Sequence, residues 1–564
     1  MDDLGMYTKK KDLGMKMLQH CKGLPLVIIV LAGVLARKNS IREWVRVYEN
    51  VREYINRGIG HEEEYEGVSQ VLALSYDDLP PDFFVAAEGI ARVFSRQQRH
   101  SLGETMEDIA RDWLSELVER CLVQVGTSGS TGTIKGCRIH DLVRDMCLLR
   151  AKEESFLQIK YSLQENTSSM AAEATQLGKI RRLAIYLDKN ADMLVSSRDE
   201  TNGHDFKVLR VLKVEGLQVI TRVELPSEIG NMVHLRFLSV KRSEIKRFPP
   251  SLGNLVCLQT LDFRVLIYAS MVIPNVIKKM KQLRHLYLPK KYRAKGKLEL
   301  STLGHLQTLY YFSSKYCVLK DVGRLTNLRK LRIGLSSSLQ NLEEILKSSG
   351  SMLNRIRSLF VDVYNNSCEE QAMQIVSSCR ELPKELHNYP NLTKLELWRC
   401  GLKEDQMGIL EKLPNLTILK LMGEVFEENT KILVFSKGGF PSLQFLHVSN
   451  THRITEWKVE EGAMPRLCRL EIEYCSRLTT LPDWLRYLTK LRELTFTGMG
   501  GEFHRRIEED GEDFYKIQHV PSLVIGEPSP LRLTPSNEMM ARIEGKPGNK
   551  NQLRHDDHLR LLVD

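Results

Sequence analysis

An apolar pattern, L-x-x-L-x-L with related apolar residues allowed, recurs thirteen times along this chain and constrains its fold more than any other feature. One copy could be an accidental apolar strand, but thirteen copies in register indicate a repeat architecture. The copies, in chain order, are Ile180-Leu183-Ile185, Leu209-Leu212-Val214, Leu235-Leu238-Val240, Leu258-Leu261-Phe263, Leu283-Leu286-Leu288, Leu306-Leu309-Tyr311, Leu328-Leu331-Ile333, Ile356-Leu359-Val361, Leu392-Leu395-Leu397, Leu416-Leu419-Leu421, Leu443-Leu446-Val448, Leu467-Leu470-Ile472 and Leu491-Leu494-Phe496.

The spacing of the copies identifies the kind of repeat. Neighbouring copies lie 22–29 residues apart, as is typical of leucine-rich repeats, except for a spacing of 36 residues that indicates an insertion before Leu392. In such a repeat a short strand points alternate apolar residues inward. No single repeat can bury its own leucines, so stacked neighbours form one continuous core. The predicted fold class is therefore α/β, with a leucine-rich-repeat solenoid (horseshoe) over residues 175–515.

Composition excludes several other classes of protein. The net charge of +10 over 564 residues is mild, and aromatic residues make up only 7%, so neither favours nucleic acid as a partner. The longest apolar run, residues 23–36, is too short for a transmembrane helix and lies too far from the N-terminus for a signal peptide. The eleven cysteines are scattered, and no C-x-x-C pair suggests zinc or a disulfide framework. We therefore expect a cytoplasmic protein with no metal site.

The chain before the solenoid is predicted to be helical and to end in a small hairpin. Residues 41–55 and 107–120 carry apolar residues at helical spacing. Residues 122–125 and 134–139 alternate as strands on either side of a turn rich in Gly, Ser and Thr. Helices followed by a hairpin are typical of a winged-helix unit.

Three short motifs in this region have ordinary structural explanations when each is taken alone. Gly23-Leu24-Pro25-Leu26 opens an apolar run, and a proline is favoured in the first turn of a helix. The segment 74–81, LSYDDLPP, reads as a helix that ends at Pro-Pro. In Arg138-Ile139-His140-Asp141, the His and Asp could cap the next helix, or the His could donate to an anion at the helix N-terminus.

In this order, and ahead of a leucine-rich solenoid, the motifs resemble those of plant NB-LRR disease resistance proteins of the coiled-coil class, which are intracellular immune receptors. Residues 23–26 match the GLPL motif of that family, and Ile139-His140-Asp141 matches its MHD motif with Ile in place of Met. Residues 85–90, VAAEGI, are similar to its W-x-AEG segment. The resemblance covers about residues 5–515.

The resemblance implies a domain organisation and two nucleotide contacts. In the family, ADP lies between an ATP-binding subdomain and two helical ARC subdomains; the GLPL proline packs on the adenine and the MHD histidine reaches the β-phosphate. Those roles fall on Pro25 and His140. The implied domains are a partial first ARC helical subdomain (1–60), a second ARC or winged-helix-like subdomain (61–155), a linker (156–174), the leucine-rich repeats (175–515) and a mostly disordered tail (516–564).

Two departures from the family pattern weaken the expected nucleotide switch. No G-x-x-x-x-G-K-[ST] loop occurs, because the Gly-Lys pairs at 178, 296 and 545 are followed by Ile, Leu and Pro. Only Asp82 to Ala86 separate Pro81 from the AEG segment, where the family has a few tens of residues, so an internal deletion is expected within 61–155. We expect an N-terminally truncated receptor that lacks the ATP-binding subdomain, has no resident cofactor and binds ADP or ATP very weakly.

The expected function is recognition of a pathogen effector or a guarded host protein on the concave face of the repeats, in the plant defence response. No catalytic constellation appears at suitable spacing, so no enzyme activity is expected. Other possibilities are a non-functional truncated product and a cytosolic leucine-rich-repeat adaptor. The acidic stretch 508–513 reads as a solvated loop, or as a docking patch for a basic surface. Because many candidate partner-binding residues are basic, an acidic partner is expected; the candidates are Lys207, Arg236, Arg284, His285, Lys330, Arg332, Lys394, Lys420 and His447.

Overall fold

A computed structural model describes two compact units that divide between residues 156 and 157. Several features predicted from the sequence lie outside the described residues: Lys207, the 74–81 motif, the AEG segment and most of the insertion before Leu392. The described residues are 3–21, 25–57, 106–128, 134–140, 143–145, 147–148, 151, 157–161, 181–186, 208–215, 223–241, 243, 245–264, 271–336, 339, 342–345, 355–364, 382–383, 386, 389–427 and 429–526.

The described residues of the first unit include four helices and a hairpin. Ser40 and Glu43 form a reciprocal capping box at the start of the third helix, where the Ser40 amide donates to the Glu43 carboxylate at 2.9 Å and the Glu43 amide donates to the Ser40 hydroxyl at 3.3 Å. The expected helices and strands are confirmed to within a few residues. The elements are α1 (Asp3–His20), α2 (Pro25–Ala36), α3 (Ile41–Arg57), α4 (Met106–Glu119), β1 (Val123–Ser128) and β2 (Ile134–Ile139), with β1 and β2 antiparallel.

Helix α2 is the centre of this unit because it is apolar over its whole length. Val30 is fully buried in a cluster that also contains Met17 of α1, Val51 of α3 and Leu122 beside the hairpin. Arg37, directly after α2, forms ion pairs with the carboxylates of α4. Residues of the first three helices and residues beside the hairpin therefore share one core within this unit.

The second unit is built from short parallel strands, as the repeat pattern predicts. Its described elements include the helices α5 (Met407–Glu411) and α6 (Gly501–Ile507). Its strands are β3 (Gln158–Tyr161), β4 (Arg182–Tyr186), β5 (Val211–Glu215), β6 (Val223–Glu224), β7 (Phe237–Ser239), β8 (Ile245–Arg247), β9 (Thr260–Asp262), β10 (Met271–Ile273), β11 (His285–Tyr287), β12 (Tyr292–Ala294), β13 (Thr308–Ser313), β14 (Lys330–Ser336), β15 (Ser358–Tyr364), β16 (Lys394–Trp398), β17 (Ile418–Met422), β18 (Ile432–Phe435), β19 (Phe445–Ser449), β20 (Glu456–Val459), β21 (Arg469–Glu473), β22 (Glu493–Thr497) and β23 (Ser522–Gly526).

Fifteen of the described strands form one sheet, called here the main sheet, with every pair parallel. Its order is β23-β22-β21-β19-β17-β16-β15-β14-β13-β11-β9-β7-β5-β4-β3. On the other side, some repeats carry short outer strands, grouped as β6-β8-β10-β12 and β18-β20, and several carry 3-10 turns. Several of these turns follow a proline, such as Pro249, which caps the 3-10 turn at 250–254. This is the convex side that the proline and Gly-Asn segments predict.

The leucines of the motif fill the space between these two sides. Leu238, Leu261, Leu286 and Leu309 occupy successive repeats at the same register position, and each is fully buried. Burial of one such side chain contributes roughly 1.5–3 kcal/mol, and the contribution recurs in every repeat. We call the opposite face of the main sheet, where the intervening side chains lie, the concave face.

The main sheet is longer at both ends than the predicted range of 175–515. Strand β3 lies inside the predicted linker 156–174 and pairs with β4, and β23 lies inside the predicted tail and pairs with β22 residue for residue. The described repeat unit therefore runs from 157 to 526. Neither segment contains L-x-x-L-x-L, but an edge strand needs only backbone partners on one side, and Leu523 still packs on the core.

One of the thirteen motif copies is assigned incorrectly at its third position. The sequence predicts Tyr311 as a core residue, whereas Phe312 is the residue that is fully buried. The register between β13 and β14 shifts here, so that Tyr310 and Tyr311 together lie opposite Arg332. Tyr311 has φ of +57°, as the extra residue of a β-bulge can have, and both tyrosines are half-buried.

Five consecutive repeats end their main-sheet strand in the same way. The residue after the strand is left-handed, with φ between +54° and +64°, and its N–H donates to a carbonyl of the next repeat at 2.8–3.4 Å. These residues are Arg399, Gly423, Asn450, Tyr474 and Gly498. The shared geometry keeps the ends of neighbouring strands in line.

None of the helices in the described part of the chain combines the length and the apolar character that crossing a bilayer requires.

Candidate functional site

The concave face is lined by the residues that lie between the inward-pointing leucines. The register places one such residue from each strand in a single row across the sheet, because the strands pair in parallel without offset apart from the bulge. From β5 to β23 the row contains Lys213, Ser239, Asp262, Tyr287, Tyr310, Arg332, Phe360, Glu396, Lys420, His447, Glu471, Thr495 and Val524. The row is aromatic near its middle and charged from β16 to β21.

Five aromatic side chains near the middle of the sheet form what we call the aromatic patch. It consists of Tyr287, Tyr310, Tyr311, Phe360 and Trp398. The rings of Tyr287 and Tyr310 are 5.0 Å apart, and those of Phe360 and Trp398 meet edge to face at 6.4 Å. The bulge in β13 adds the second tyrosine, since a regular strand would place only one side chain there. The rings therefore form two packed pairs, one on β11 and β13 and one on β15 and β16, with β14 between them.

A cation covers each part of the aromatic patch. The Arg264 guanidinium carbon lies 4.5 Å from the centre of the Tyr287 ring, and Lys290 Nζ lies 4.6 Å from that of Trp398. Both cations also have carboxylate partners. Arg264 donates to Asp262 from Nε and from Nη2 at 3.0 Å each, and Lys290 lies 3.2 Å from Asp362. These contacts hold the charged groups in fixed positions above the rings.

Arg332 is the third cation of the patch and is placed differently. Its guanidinium carbon lies 3.6 Å from the centre of the Phe360 ring and 4.6 Å from that of Tyr311. Its Nε is buried and has no hydrogen-bond partner, and within the described residues Arg332 forms no ion pair. Arg332 therefore has aromatic neighbours, but no acceptor for its N–H groups lies among the residues that the structure describes.

The charged part of the row is a ladder of ion pairs. Lys394 pairs with Glu396 at 2.5 Å, and Arg469 donates from Nε and Nη2 to Glu471 at 3.0 and 2.6 Å. His447 Nδ1 lies 3.0 Å from the other oxygen of Glu471. Burial of Glu471 acts to raise its pKa, but the hydrogen bond and charge of His447 and the charge of Arg469 outweigh it and lower the pKa to about 2.

Two family models match this chain. One is described as a leucine-rich repeat region and matches residues 193–509, which is more than half of the chain. The other is described as a disease resistance protein winged helix domain and matches residues 89–147. The chain belongs to the plant NB-LRR disease resistance family.

Individual members of the family show how much of such a protein the chain represents. Disease resistance protein RPP8 of Arabidopsis thaliana is 34% identical over 91% of this chain and 61% of that protein. Probable disease resistance protein RF9 of the same plant is 35% identical over 84% of this chain and 50% of that protein. The chain thus spans between 50% and 61% of the length of these relatives. Among solved structures, a leucine-rich-repeat protein of Leptospira interrogans aligns with 18% identity and a TM-score of 0.35, over 62% of this chain and 91% of that one.

The two predicted nucleotide contacts of the NB-LRR family both lie in the first unit and are exposed. Pro25 is the first residue of α2, which confirms the expected helix start. His140 directly follows β2, and its carbonyl accepts a hydrogen bond from the amide of Arg144 at 2.8 Å. Their nucleotide roles stay predictions.

Four of the predicted partner-binding residues lie at the edge of the concave face, where the strands begin. Arg236 and Arg284 directly precede β7 and β11, are half-buried and supply carbonyl acceptors to the next repeat. His285 opens β11, and its Nδ1 is 3.1 Å from the Thr308 hydroxyl. Lys330 opens β14 in register with Thr308. These four residues border the face and do not lie in its central row.

The other four candidates lie on the main sheet near or in the central row and have acidic or aromatic neighbours. They are Arg332, Lys394, Lys420 and His447. Lys394 pairs with Glu396, Lys420 Nζ lies 5.4 Å from the centre of the Phe445 ring, and His447 is buried beside Glu471. Arg332 has aromatic neighbours but no carboxylate partner among the described residues. The positive charge that the sequence places on this face is therefore partly balanced by acidic residues of the same face.

Several residues of the face are not among the sequence candidates. The sequence does not identify these residues as part of the site, because their role depends on which strands are neighbours. They are Arg264, Lys290, Asp362 and the aromatic patch. Lys290 and its partner Asp362 are 72 positions apart in the sequence and belong to different repeats. A useful signal was available in the motif: Tyr310-Tyr311-Phe312 contains one residue too many for a regular copy.

Among the described residues, one group of side chains has the composition of a metal site. His447, Glu471 and Glu473 place one donor atom each within 4.8 Å of one another. The Glu471 carboxylate, however, already accepts hydrogen bonds from His447 and Arg469. The arrangement is explained as part of the ion-pair ladder.

Proposed function

We propose that this chain is part of a plant intracellular immune receptor whose leucine-rich repeats recognise a pathogen effector or a guarded host protein in the defence response. Membership of the NB-LRR disease resistance family supports the class of function. The observation that carries the proposal is the concave face, where Arg, Trp and Tyr side chains are packed into a preorganised surface. These residue types dominate the energy of protein–protein interfaces.

The packing of this surface favours recognition of a folded or loop-shaped protein surface. The cations are held by rings and carboxylates of the same face, so little side-chain entropy is lost when a partner binds. Charged groups of both signs alternate along the row, which gives specificity for a partner with a complementary pattern. Partner recognition, rather than chemistry on a substrate, is the role that we assign to this face.

The test compares variants of the concave face with variants of the convex side in the full chain. Proximity labelling in plant cells, with and without individually co-expressed pathogen effectors, identifies partners of the wild-type chain. The concave double variant Arg332→Glu with Lys420→Glu is expected to lose a partner that the convex double variant Arg293→Glu with Lys295→Glu retains; Arg293 and Lys295 are exposed. Binding is the readout because recognition of a partner is the role proposed for this face. Equal loss in both double variants, at equal protein abundance, would count against recognition by the concave face.

We further propose that the chain acts in the cytosol. The described residues contain nine free cysteines, five of them buried. Burial raises the pKa of the Cys317 thiol to about 11, so this thiol stays protonated. A reducing compartment suits a protein with this many unpaired thiols. A fluorescent fusion of the chain that enters the secretory pathway would contradict this assignment.

A further inference from the structure

Arg332 differs from the other arginines of the repeat unit that use the Nε edge of the guanidinium. Arg264 holds Asp262 through Nε and Nη2, and Arg506 does the same with Asp513 at 3.0 and 3.3 Å. Arg469 directs the same two nitrogens at Glu471. In each case a planar fork of donors meets a carboxylate of the same unit. Arg332 has the same fork in the middle of the concave face, without a carboxylate from the described residues.

The surroundings of Arg332 fix the orientation of the guanidinium. The guanidinium carbon of Arg332 lies 3.6 Å from the centre of the Phe360 ring. It lies 4.6 Å from the centre of the Tyr311 ring and 5.6 Å from that of the Tyr310 ring. Stacking occupies the flat faces of a guanidinium and leaves its N–H donors at the edge. Nε is closed to solvent, whereas the residue as a whole is half-buried. An acceptor must therefore approach the outer, terminal nitrogens.

No acidic group among the described residues pairs with Arg332. Glu396 is close enough for the charge of Arg332 to help lower its pKa, but Lys394 and Lys420 have larger effects on it, and Lys394 pairs with it directly. Asp362 is engaged by Lys290. A partly buried cation that has rings on its faces and no counter-ion among the described residues has an unfavourable desolvation free energy. An acidic group of a partner that pairs with this cation would offset that cost. This is the charge complementarity on which the choice of partner rests.

We propose that Arg332 and the tyrosines of the β13 bulge form a subsite for one carboxylate side chain, Asp or Glu, presented by a loop of a partner protein next to an apolar residue. This inference rests on the proposed function, because it specifies what the concave face recognises. The carboxylate accepts hydrogen bonds from the N–H groups of Arg332, and the apolar residue next to it in the partner packs on the edges of Tyr310 and Tyr311. Asp262 and Asp362, both almost completely buried, add negative charge that favours a single carboxylate over a doubly charged phosphate.

The experiment pans a displayed library of random twelve-residue peptides on the immobilised full chain. The wild-type chain is expected to enrich peptides with Asp or Glu beside an aromatic or aliphatic residue. A selected peptide is then measured with the variants Arg332→Gln and Arg332→Lys, and with Arg293→Gln as the matched control on the exposed convex strand β12. We expect Arg332→Gln to weaken binding about 10- to 100-fold, Arg332→Lys to weaken it less, and Arg293→Gln to change nothing, as for loss of one charge-assisted pair.

Two further measurements make the result specific. Replacing the acidic residue of the peptide by its amide should weaken binding to the wild-type chain by the same factor, and should cause no further loss in Arg332→Gln, as a double-mutant cycle requires. Replacing it by phosphotyrosine should not strengthen binding. Thermal unfolding of each variant separates loss of binding from loss of fold, and Arg332→Lys keeps the test valid if Arg332→Gln is unstable.

The outcomes that overturn the inference differ from those that overturn the proposed function. Three results would overturn the carboxylate subsite and leave a protein-binding face in place. The first is selection of peptides that bind the concave face without enrichment in acidic residues. The others are additive effects of the Arg332 and peptide substitutions in the double-mutant cycle, and tighter binding of the phosphotyrosine peptide. A chain that enriches no peptide, and whose concave and convex variants label the same partners, would overturn both.

Discussion

Nδ1 of His447 lies 3.0 Å from Oε2 of Glu471 on the neighbouring strand, and both side chains are buried in the concave face. Arg469 donates to the other carboxylate oxygen. Glu471 is therefore held between two potential cations at the charged end of the face. The pair connects the stability of strands β19 and β21 to pH.

This relationship predicts a pH-dependent loss of stability in Glu471→Gln. The pKa of Glu471 is about 2 in the folded chain against an ordinary value of 4.5, so its ionised form stabilises the fold fully above pH 4.5. That contribution is lost as the pH falls from 4.5 towards 2. We expect Glu471→Gln to lose on the order of 3 kcal/mol near pH 7 and much less near pH 2. Hydrogen exchange of residues 445–473 at several pH values measures the difference.

The matched control for that experiment is Glu456→Gln on the outer strand β20. Glu456 lies 3.7 Å from Lys458, and both side chains are about half exposed. Exposed pairs contribute at most about 1 kcal/mol, so the control should change little at any pH. A difference between wild type and Glu471→Gln that stays constant from pH 7 to pH 2 would refute the predicted role of the carboxylate charge.

The end of β17 gives a prediction that separates backbone strain from packing. Gly423 has φ of +64°, and a Cβ added there would overlap Nε1 of Trp398. Gly438 has φ of +70°, but a Cβ there would meet nothing within 4 Å. We expect Gly438→Ala to cost about 1–2 kcal/mol from the left-handed backbone alone. Gly423→Ala should cost more, because Trp398 must also move away from Lys290 and Phe360.

Urea unfolding of the full chain, followed by tryptophan fluorescence, measures both substitutions. The shifted Trp398 ring should change the fluorescence of folded Gly423→Ala but not that of folded Gly438→Ala. Equal loss of stability in the two variants would mean that the ring accommodates the methyl group, and that packing against Gly423 does not position Trp398.

The fold was predictable from sequence where the apolar pattern alone determines it. Leu395, Leu419 and Leu446 recur at fixed positions, and period two places them inside regardless of what surrounds them. The end strands β3 and β23 escaped prediction because backbone pairing, rather than a motif, brings them into the sheet. Tyr311 was misassigned because a bulge changes the inward residue without changing the hydropathy of the segment.

The candidate site was less predictable, because its character depends on contacts between repeats. The sequence marks Arg332 and Lys394 as equivalent basic residues of the face. The structure distinguishes them: Lys394 has Glu396 two residues along its own strand, whereas Arg332 is flanked by Phe360 from the next strand and by an additional tyrosine from the preceding one. These differences follow from strand register and from one bulge, and composition records neither.

The packing of α2 predicts opposite effects for two glycine substitutions in the first unit. A Cβ at Gly33 would lie 2.9 Å from the Arg120 carbonyl oxygen, whereas one at Gly14 of α1 would make an ordinary contact with Trp44 at 3.8 Å. Alanine is favoured over glycine within a helix by about 1 kcal/mol. Gly14→Ala should therefore be neutral or stabilising, and Gly33→Ala should be destabilising because the backbone at Arg120 must move.

Hydrogen exchange of residues 25–36 and 106–123 in the full chain measures this effect. Gly33→Ala should speed exchange in both segments, and Gly14→Ala should not. Similar protection in the two variants would show that α2 and the α4–β1 connection can separate without cost, and would contradict the shared core of Val30, Val51 and Leu122.

The nucleotide contacts implied by the family give the last prediction. Backbone N–H groups of a G-x-x-x-x-G-K-[ST] loop and its lysine supply most of the attraction for nucleotide phosphates in proteins that have one, and the 564 residues contain no such loop. Pro25 and His140 are exposed, and they offer one ring surface and one imidazole. We therefore expect calorimetry of the chain with ADP to show a Kd weaker than about 1 mM, equivalent to less than about 4 kcal/mol of binding. His140→Ala should leave the heats unchanged. A micromolar Kd that His140→Ala abolishes would instead show that these two residues form a working nucleotide site without the loop.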